Sequence, residues 1–302
     1  MAPILFQQRL TSPTDFLEAA NRVRGNNTAV AAVEMGLWNL LGRIKNQPLS
    51  KLLGGHRDEV DVGVSVGIQP TPKVLVKTVS DYLRDGYGRI KLKIKPGFDL
   101  EYIKAVRNEF PDTKLQVDGN SAYRLDDVAT LKKFDSMRLL LIEQPLAYDD
   151  LIDHSKLQAE LSTPICLDES IHTLEDARKA IEIGACKIIN VKPGRVRGLQ
   201  KSKEIHDLCL KQKIPVWCGG MLETGIGRAF NVALASLPGF SLSGDISASK
   251  RYFARDIITR EFTLKPGSKL EVPKEPGIGV EVDPIMLDSY TTSRELLKPT
   301  AH

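Results

Sequence analysis

From residue 59 onward the chain alternates two kinds of hydrophobic pattern. Short β-rich runs, EVDVGVSVGI, RIKLKIK, KLQVDGN, LLLIEQP, PICLDES, KIINVKP, PVWCGG and FSLSGDIS, are separated by amphipathic stretches such as DLEYIKAVRNEF, LDDVATLKKF, TLEDARKAIEIGA and LQKSKEIHDLCLKQK, in which apolar residues recur at helical spacing. The pattern predicts eight strands with seven helices between them. Strand, helix, strand repeated in this way gives parallel strands joined by right-handed crossovers, and eight of them can close into a barrel. An open doubly wound sheet is the rival arrangement.

The run RIKLKIKPG, residues 89–97, shows the alternation residue by residue. Side chains on a strand point to opposite faces in turn, so Lys91, Lys93 and Lys95 share one face and Ile90, Leu92 and Ile94 the other. An edge strand with its lysines in water would explain a lone KxK. The rest of the charge pattern argues otherwise: Lys93, Asp118, Glu143, Asp168 and Lys192 each stand near the end of a predicted strand, at intervals of 25, 25, 25 and 24 residues. In a closed parallel barrel such ends converge on one mouth, whereas an open sheet spreads them along a line. Closure into a barrel is therefore expected.

Composition narrows the functional classes. The 302 residues are 42% hydrophobic and 26% charged, the profile of an ordinary globular protein. The net charge of +4 comes from 42 basic and 38 acidic residues scattered along the chain, with none of the basic blocks that track a phosphate backbone, so no nucleic-acid partner is expected. No apolar run has the length of a membrane span, and MAPILFQQRL lacks the charged start and long apolar centre of a signal peptide; a cytoplasmic protein without a membrane partner is expected. Cys166, Cys186, Cys209 and Cys218 form no CxxC pair and no metal-type spacing, which predicts reduced, mostly buried thiols.

Three carboxylates and two lysines around one mouth are costly to bury without compensation. Asp118, Glu143 and Asp168 offer hard anionic oxygen, with no histidine or cysteine at equivalent places to favour zinc, and Mg²⁺ suits such a set, with Mn²⁺ as a substitute. Asn120, two residues beyond Asp118 and on its face, would support the site. Lysines near a metal and near each other lose basicity, and one so tuned serves as a general base. Lys93 and Lys192 lie on strands two and six of eight, nearly across the barrel, and would address opposite faces of a bound substrate. A carbon acid α to a carboxylate is the natural small-molecule target.

The set KLK, VDGN, IEQP, LDES and NVKPGR resembles the enolase superfamily, and within it the muconate-lactonising subgroup, over essentially the whole chain. The resemblance implies an α/β fold: a (β/α)7β TIM-like barrel with an α+β capping domain built from both chain ends. It also implies that Lys93 and Lys192 form the acid/base pair, that Lys91 helps hold the substrate carboxylate or its enediolate oxygen, and that Asp118, Glu143 and Asp168 bind Mg²⁺. Family members begin with antiparallel strands and a mobile loop that covers the site, whereas this sequence starts near the helical part, PTDFLEAANRVRG and AAVEMGLWNLLGRI, so an incomplete capping domain is expected. The expected boundaries are a helical remainder of that domain at 1–58, the barrel at 59–249, and a C-terminal segment returning to the cap at 250–302. A homo-oligomer fits a half-built cap.

The finer segments LDESI, KPGRVRG, PVWCGGMLETGIGRA and GDISAS are similar to o-succinylbenzoate synthases of the kind that also act as N-succinylamino acid racemases. The resemblance implies dehydration of a succinyl-hydroxycyclohexadiene carboxylate on the menaquinone pathway, or inversion of an N-acylated amino acid; both begin with one proton abstraction. Arg195 matches an arginine associated with racemising members, where it would tune Lys192; a surface arginine opening the next helix is the alternative. Gly220, Met221 and Leu222 would receive a succinyl tail, and Ser65 would bond a substrate carboxylate. Strand eight reads Gly244-Asp245-Ile246-Ser247, without the DxD of dipeptide epimerases, and His154 and His172 are expected on helix or loop surfaces. A catalytically impaired barrel acting as a binding or assembly component is the reading from another class.

Overall fold

The computed structural model describes residues 2–7 and 10–298. Met1, Gln8, Arg9 and residues 299–302, at the ends of the two expected terminal segments, lie outside the described residues. The chain opens with four helices, α1 (Ala2–Gln7), α2 (Pro13–Ala19), α3 (Asn27–Ile44) and α4 (Leu49–Leu53). Helix α2 starts at Ser12 because its hydroxyl accepts the Asp15 amide while the Asp15 carboxylate accepts the Ser12 amide, a reciprocal cap. Ile4, Phe16, Leu17, Ala20 and Val30 then form a small core of their own.

The strands are β1 (Glu59–Asp61), β2 (Val64–Val66), β3 (Arg89–Lys93), β4 (Lys114–Asp118), β5 (Ile142–Glu143), β6 (Ile165–Leu167), β7 (Ile188–Val191), β8 (Val216–Cys218) and β9 (Lys269–Glu271). Strands β2 to β8 pair in sequence order as one parallel sheet. The sheet curls shut through residues 240–244: Phe240 bridges to Val216 and Gly244 to Val62, with Gly63 N donating to Gly244 O at 2.8 Å and Gly244 N to Asp61 O at 2.9 Å. The expected seven crossovers are all helical, built on α5 (Pro72–Arg84), α6 (Leu100–Glu109), α7 (Val128–Leu131), α8 (Ile152–Glu160), α9 (Leu174–Glu182), α10 (Leu199–Lys211) and α11 (Gly225–Ala235), and α12 (Pro284–Tyr290) follows near the end.

Three expectations need correction. The run EVDVGVSVGI is two strands, since Glu59–Asp61 turns away to pair antiparallel with β9 and only Val64–Val66 enters the barrel. The eighth barrel strand is reduced to single bridges, with the Ser243 carbonyl taken by the Arg89 guanidinium at 2.9 Å instead of a strand neighbour. The segment LDDVATLKKF is one short α-helix between 3-10 turns, ending where Asp135 accepts the amides of Ser162 and Thr163 from the approach to β6.

Alternation along the strands creates two interiors. Outward residues such as Ile90, Leu92, Val117, Ile142, Leu167, Ile189 and Val191 merge with the apolar stripes of the surrounding helices into one continuous core; each such side chain contributes roughly 1.5–3 kcal/mol by leaving water. Inside the barrel, Leu141, Cys166, Ile188 and Trp217 plug the lower part. All four cysteines are unpaired and buried. Among the described residues no helix is long and apolar enough to cross a membrane.

Helix α3 is seated on the barrel through one buried acid. Glu34 accepts the amides of Leu199 and Gln200 at the start of α10, at 2.8 and 2.9 Å, and the Trp38 indole N–H at 2.8 Å. Gly198, at φ +120°, is needed there twice over: its backbone is left-handed, and a Cβ would strike the Glu34 carboxylate. The C-terminal segment reaches the same helices, with Gly277 O accepting Leu49 N at 2.7 Å and Asn39 Oδ1 accepting Ile278 N at 3.0 Å.

Candidate active site

The inward side chains at the C-terminal strand ends form a dense ionic network. Lys93 and Asp118 are register partners, as are Asp118 and Glu143, so the three stand side by side. Asp168 directly follows β6 and Lys192 directly follows β7. The ammonium of Lys91, 2% exposed, lies 2.6 Å from Asp245 Oδ2, 2.7 Å from Glu143 Oε2 and 3.1 Å from Asp118 Oδ2. Lys93 Nζ donates to Asp118 Oδ2 at 2.6 Å and to Asn120 Oδ1 at 2.7 Å. Across the barrel Lys192 Nζ donates to Asp168 Oδ2 at 2.7 Å, and Arg195 binds the other oxygen of the same carboxylate.

Further layers hold these groups in place. Asn190 Nδ2 donates to Glu143 Oε1 at 2.7 Å. Arg89 pairs with Asp245 at 2.6 Å, and both Lys91 and Arg89 lie over the face of Trp217, at 4.9 and 5.6 Å from its centroid. Gly219 makes room for Lys192, because a Cβ there would run into Asn190 Oδ1 and Lys192 Cε.

Charge and burial push neighbouring groups in opposite directions. Burial raises the Asp118 carboxyl, but Lys91 and Lys93 outweigh it and lower it to about 2. Burial and the charge of Asp118 raise Glu143 to about 8. For Asp168, burial is outweighed by Lys192 and Arg195, and for Asp245 by Arg89 and Lys91, so both lie below the usual range. Lys192 departs from the expected loss of basicity: burial works against its charge, but Asp168 and Glu143 prevail and raise it.

A cavity of about 380 Å³ opens above this network, within the size range of small-ligand sites. Lys91, Lys93, Asn120, Lys192 and Asp245 line its floor, Gly220, Met221 and Leu222 one side, and Ser65, Arg251 and Tyr252 the other. Ser65 sits in β2 and donates to Asp245 Oδ2 at 2.9 Å. Met221 and Leu222 form an apolar lip, 63% and 73% exposed. Arg195 is not a surface residue opening a helix; it turns inward to Asp168.

Two sequence expectations fail here. Lys95 does not share the inward face: the strand ends at Lys93, and Lys95 is exposed over the Phe98 ring at 4.9 Å. His154 is fully buried, its Nδ1 against Asp150 at 2.9 Å and its Nε2 accepting the Leu146 amide at 3.2 Å, because the chain after β5 folds back onto α8; His172 is half-buried in a loop. The residues that sequence reasoning missed are Arg89, Asn190, Asp245, Arg251 and Glu169, which lines the cavity and accepts the Asn120 amide at 2.9 Å. Arg89 and Asn190 follow from strand alternation with Lys91 and Lys192, and Asp245 from its place near the end of the last strand candidate. Arg251 carried no such signal.

The donor chemistry fits a hard divalent cation. Asp118 and Glu143 already converge on one positive centre, the Lys91 ammonium, and all three acids are buried oxygen donors. In this arrangement each is turned toward a basic side chain, and among the described residues no three His, Cys, Asp or Glu side chains form a ready-made metal cluster.

Comparison with known proteins agrees with the architecture. Residues 74–286 match the enolase C-terminal domain-like family, and residues 1–54 the mandelate racemase / muconate lactonizing enzyme N-terminal domain. An o-succinylbenzoate synthase of Geobacillus kaustophilus is 49% identical over 301 residues, 100% of this chain and 80% of the relative. An N-succinylamino acid racemase of Thermus thermophilus is 50% identical, over 93% of this chain and 76% of the relative. The crystal structure of an enolase superfamily member from Listeria innocua superimposes with a TM-score of 0.92 at 43% identity, covering 96% of this chain and 78% of that one. With both of its matched segments in that family and its strands curled around one ionic mouth, the chain belongs to the mandelate racemase / muconate lactonizing branch of the enolase superfamily.

Proposed function

We propose that the protein is an o-succinylbenzoate synthase, a Mg²⁺-dependent lyase that dehydrates a succinyl-hydroxycyclohexadiene carboxylate to its aromatic product. The observation that carries this reading is the pair Lys93 and Lys192, which line one cavity from strands on opposite sides of the barrel, above three buried carboxylates. Relatives of that name at nearly half identity support it. Asp118, Glu143 and Asp168 would hold the Mg²⁺, exchanging their present basic partners for it. When bound, the ion supplies positive charge where the substrate carboxylate gains negative charge.

In this reading Lys93, as the free amine, takes the proton α to the carboxylate, the C–H electron pair becomes a double bond to the carboxylate carbon, and the carbonyl pair there shifts onto oxygen. As that pair returns, the new double bond moves into the ring and the C–O bond to the hydroxyl breaks, while the Lys93 ammonium returns its proton to the departing oxygen, so that water leaves and the amine is restored. Lys192 stays protonated, held by Asp168, and stabilises the negative charge from the other face. Lys91 keeps the floor of the site positive, and the Asn120 carbonyl orients Lys93. Incubation with the cyclohexadiene substrate and Mg²⁺, followed by ultraviolet absorbance of the aromatic product, tests the reading. No product from wild-type protein, or undiminished product from Lys93→Ala, would sink it.

A second reaction at the same site is N-succinylamino acid racemisation. Arg195 favours it, because it shares the Asp168 carboxylate and so weakens that acid's hold on Lys192. Racemisation needs both lysines to exchange protons, one on each face. Solvent deuterium entering the α-position of both enantiomers is the expected result, and exchange of only one would count against it.

A further inference from the structure

Of the cations lining the cavity, Lys91, Lys93 and Lys192 each face an acid within 3.1 Å. Arg251 does not: among the described residues its guanidinium has no acidic partner, only the Ser65 carbonyl at 3.3 Å from Nη2. Its Nε is buried and unbonded. On the same wall the Ser247 hydroxyl is likewise buried without a partner. Buried donors left unbonded cost stability unless something occupies them.

Two aromatic rings also restrain the guanidinium: its Cζ lies 5.1 Å from the ring centroid of Tyr82 and 5.1 Å from that of Tyr252. A planar fork so restrained suits recognition of a carboxylate. Gly67, just past the end of β2, has no atom within 4 Å of where a Cβ would stand, which leaves that part of the cavity wall open.

We propose that Arg251 and Ser247 form a subsite for a second carboxylate, the distal one of the succinyl chain. The reacting carboxylate lies over the floor beside Lys91, and the chain runs toward the side lined by Ser65 and Tyr252, where its far end meets Arg251, with Met221 and Leu222 facing it from the opposite side. The assignment rests on the proposed function in either of its two forms, because the cyclohexadiene substrate and an N-succinylamino acid both carry a second carboxylate at the end of a succinyl chain.

Calorimetric titration of the full chain in Mg²⁺ buffer tests it with two ligands of one shape. These are 2-succinylbenzoate and 2-butyrylbenzoate, which carries a methyl where the former carries its distal carboxylate. Wild-type protein is expected to bind the dicarboxylate at least about tenfold more tightly, the scale of one charge-assisted hydrogen-bond pair. In Arg251→Met the two affinities should agree within about twofold, and Arg251→Lys should keep an intermediate preference, which also decides the matter if the methionine variant does not fold. A purely structural role for Arg251 would weaken both ligands equally. An undiminished preference in the variants, no preference in wild-type protein, or binding of neither ligand overturns the proposal. Absence of dehydration by the same wild-type protein, with the dicarboxylate preference intact, would instead sink the lyase reading and leave the subsite standing.

Discussion

The two faces of strand β3 differ in kind although they share five residues. Outward, Ile90 and Leu92 are buried among aliphatic side chains of the helical layer, where attraction is non-directional and any well-shaped hydrocarbon serves. Inward, Arg89, Lys91 and Lys93 meet Asp245, Glu143 and Asp118, and each contact depends on the identity and position of a partner from another strand. The outer face therefore fixes where the strand lies, and the inner face fixes what happens at its end. Only the inner face concentrates charge at a cost to stability, since buried ions are desolvated and a half-satisfied network is worse than none.

The sharpest test exchanges the effects of the two faces. Lys93→Ala is expected to lower kcat/KM for dehydration by roughly 10²–10⁴-fold, the range for loss of a general acid/base. The change in unfolding free energy should stay under about 1 kcal/mol, because the lysine is 31% exposed and Asp118 keeps Lys91. Leu92→Ala should do the reverse, costing roughly 2–5 kcal/mol in urea unfolding while the folded enzyme keeps its turnover. Equal losses of activity and stability in both variants would erase the distinction between the faces.

Next in size is the fully buried centre of the network. Lys91→Met leaves Asp245, Glu143 and Asp118 without their shared cation, and breaking a buried pair in this way costs about 3–5 kcal/mol. Adding Glu143→Gln to that variant should recover part of the loss, because Lys91 is the basic group paired with Glu143, whereas Asp245 keeps Arg89 and Asp118 keeps Lys93. A double variant no more stable than the single one would show that Glu143 neutralises itself by taking up a proton once Lys91 is gone.

A smaller effect is expected where the inner face depends on absence of a side chain. Gly219→Ala inserts a methyl against Asn190 and Lys192, and overpacking of this kind costs about 1–3 kcal/mol. Displacement of Lys192 should lower kcat more than it raises KM. Unchanged kinetics would mean that the Lys192 chain has slack.

How much of this was legible beforehand follows the same division. The outer face obeys periodicity, so the strand and helix order could be read from apolar spacing, and the interval of about 25 residues placed Lys93, Asp118, Glu143, Asp168 and Lys192 at one mouth. What escaped were contacts set by geometry alone. That Asp245 belongs to Lys91 depends on sheet closure through residues 240–244, where the strand pattern is weakest. Arg251 reaches the cavity from a 3-10 turn beyond the last strand, a place without any period. His154 looked like a surface residue because its helix has polar neighbours, and only the folded-back chain at Leu146 buries it. Lys95 was placed one residue pair too far along β3, since alternation does not mark where a strand stops.

The last comparison is between that network and the single acid that seats α3 on the barrel. Glu34 has no basic partner among the described residues, only the N–H groups of Leu199, Gln200 and Trp38, and burial raises its carboxyl to about 7 despite those bonds. A folded value above the unfolded one of about 4.5 means that the folded state binds the proton more tightly. The stability this gives is fully present below about 4.5 and is lost as pH rises through about 7. Urea midpoints measured across that window should fall with rising pH in the wild type, and Glu34→Gln, which cannot ionise, should reduce that slope, the remainder belonging to Glu143, whose raised value acts in the same direction. Because the glutamine amide would still offer an oxygen to one N–H of α10, the cost of this substitution at neutral pH should be small beside that of Lys91→Met. A slope left unchanged by the substitution would assign the whole titration to other groups such as Glu143, and α3 would then be held chiefly by its apolar face.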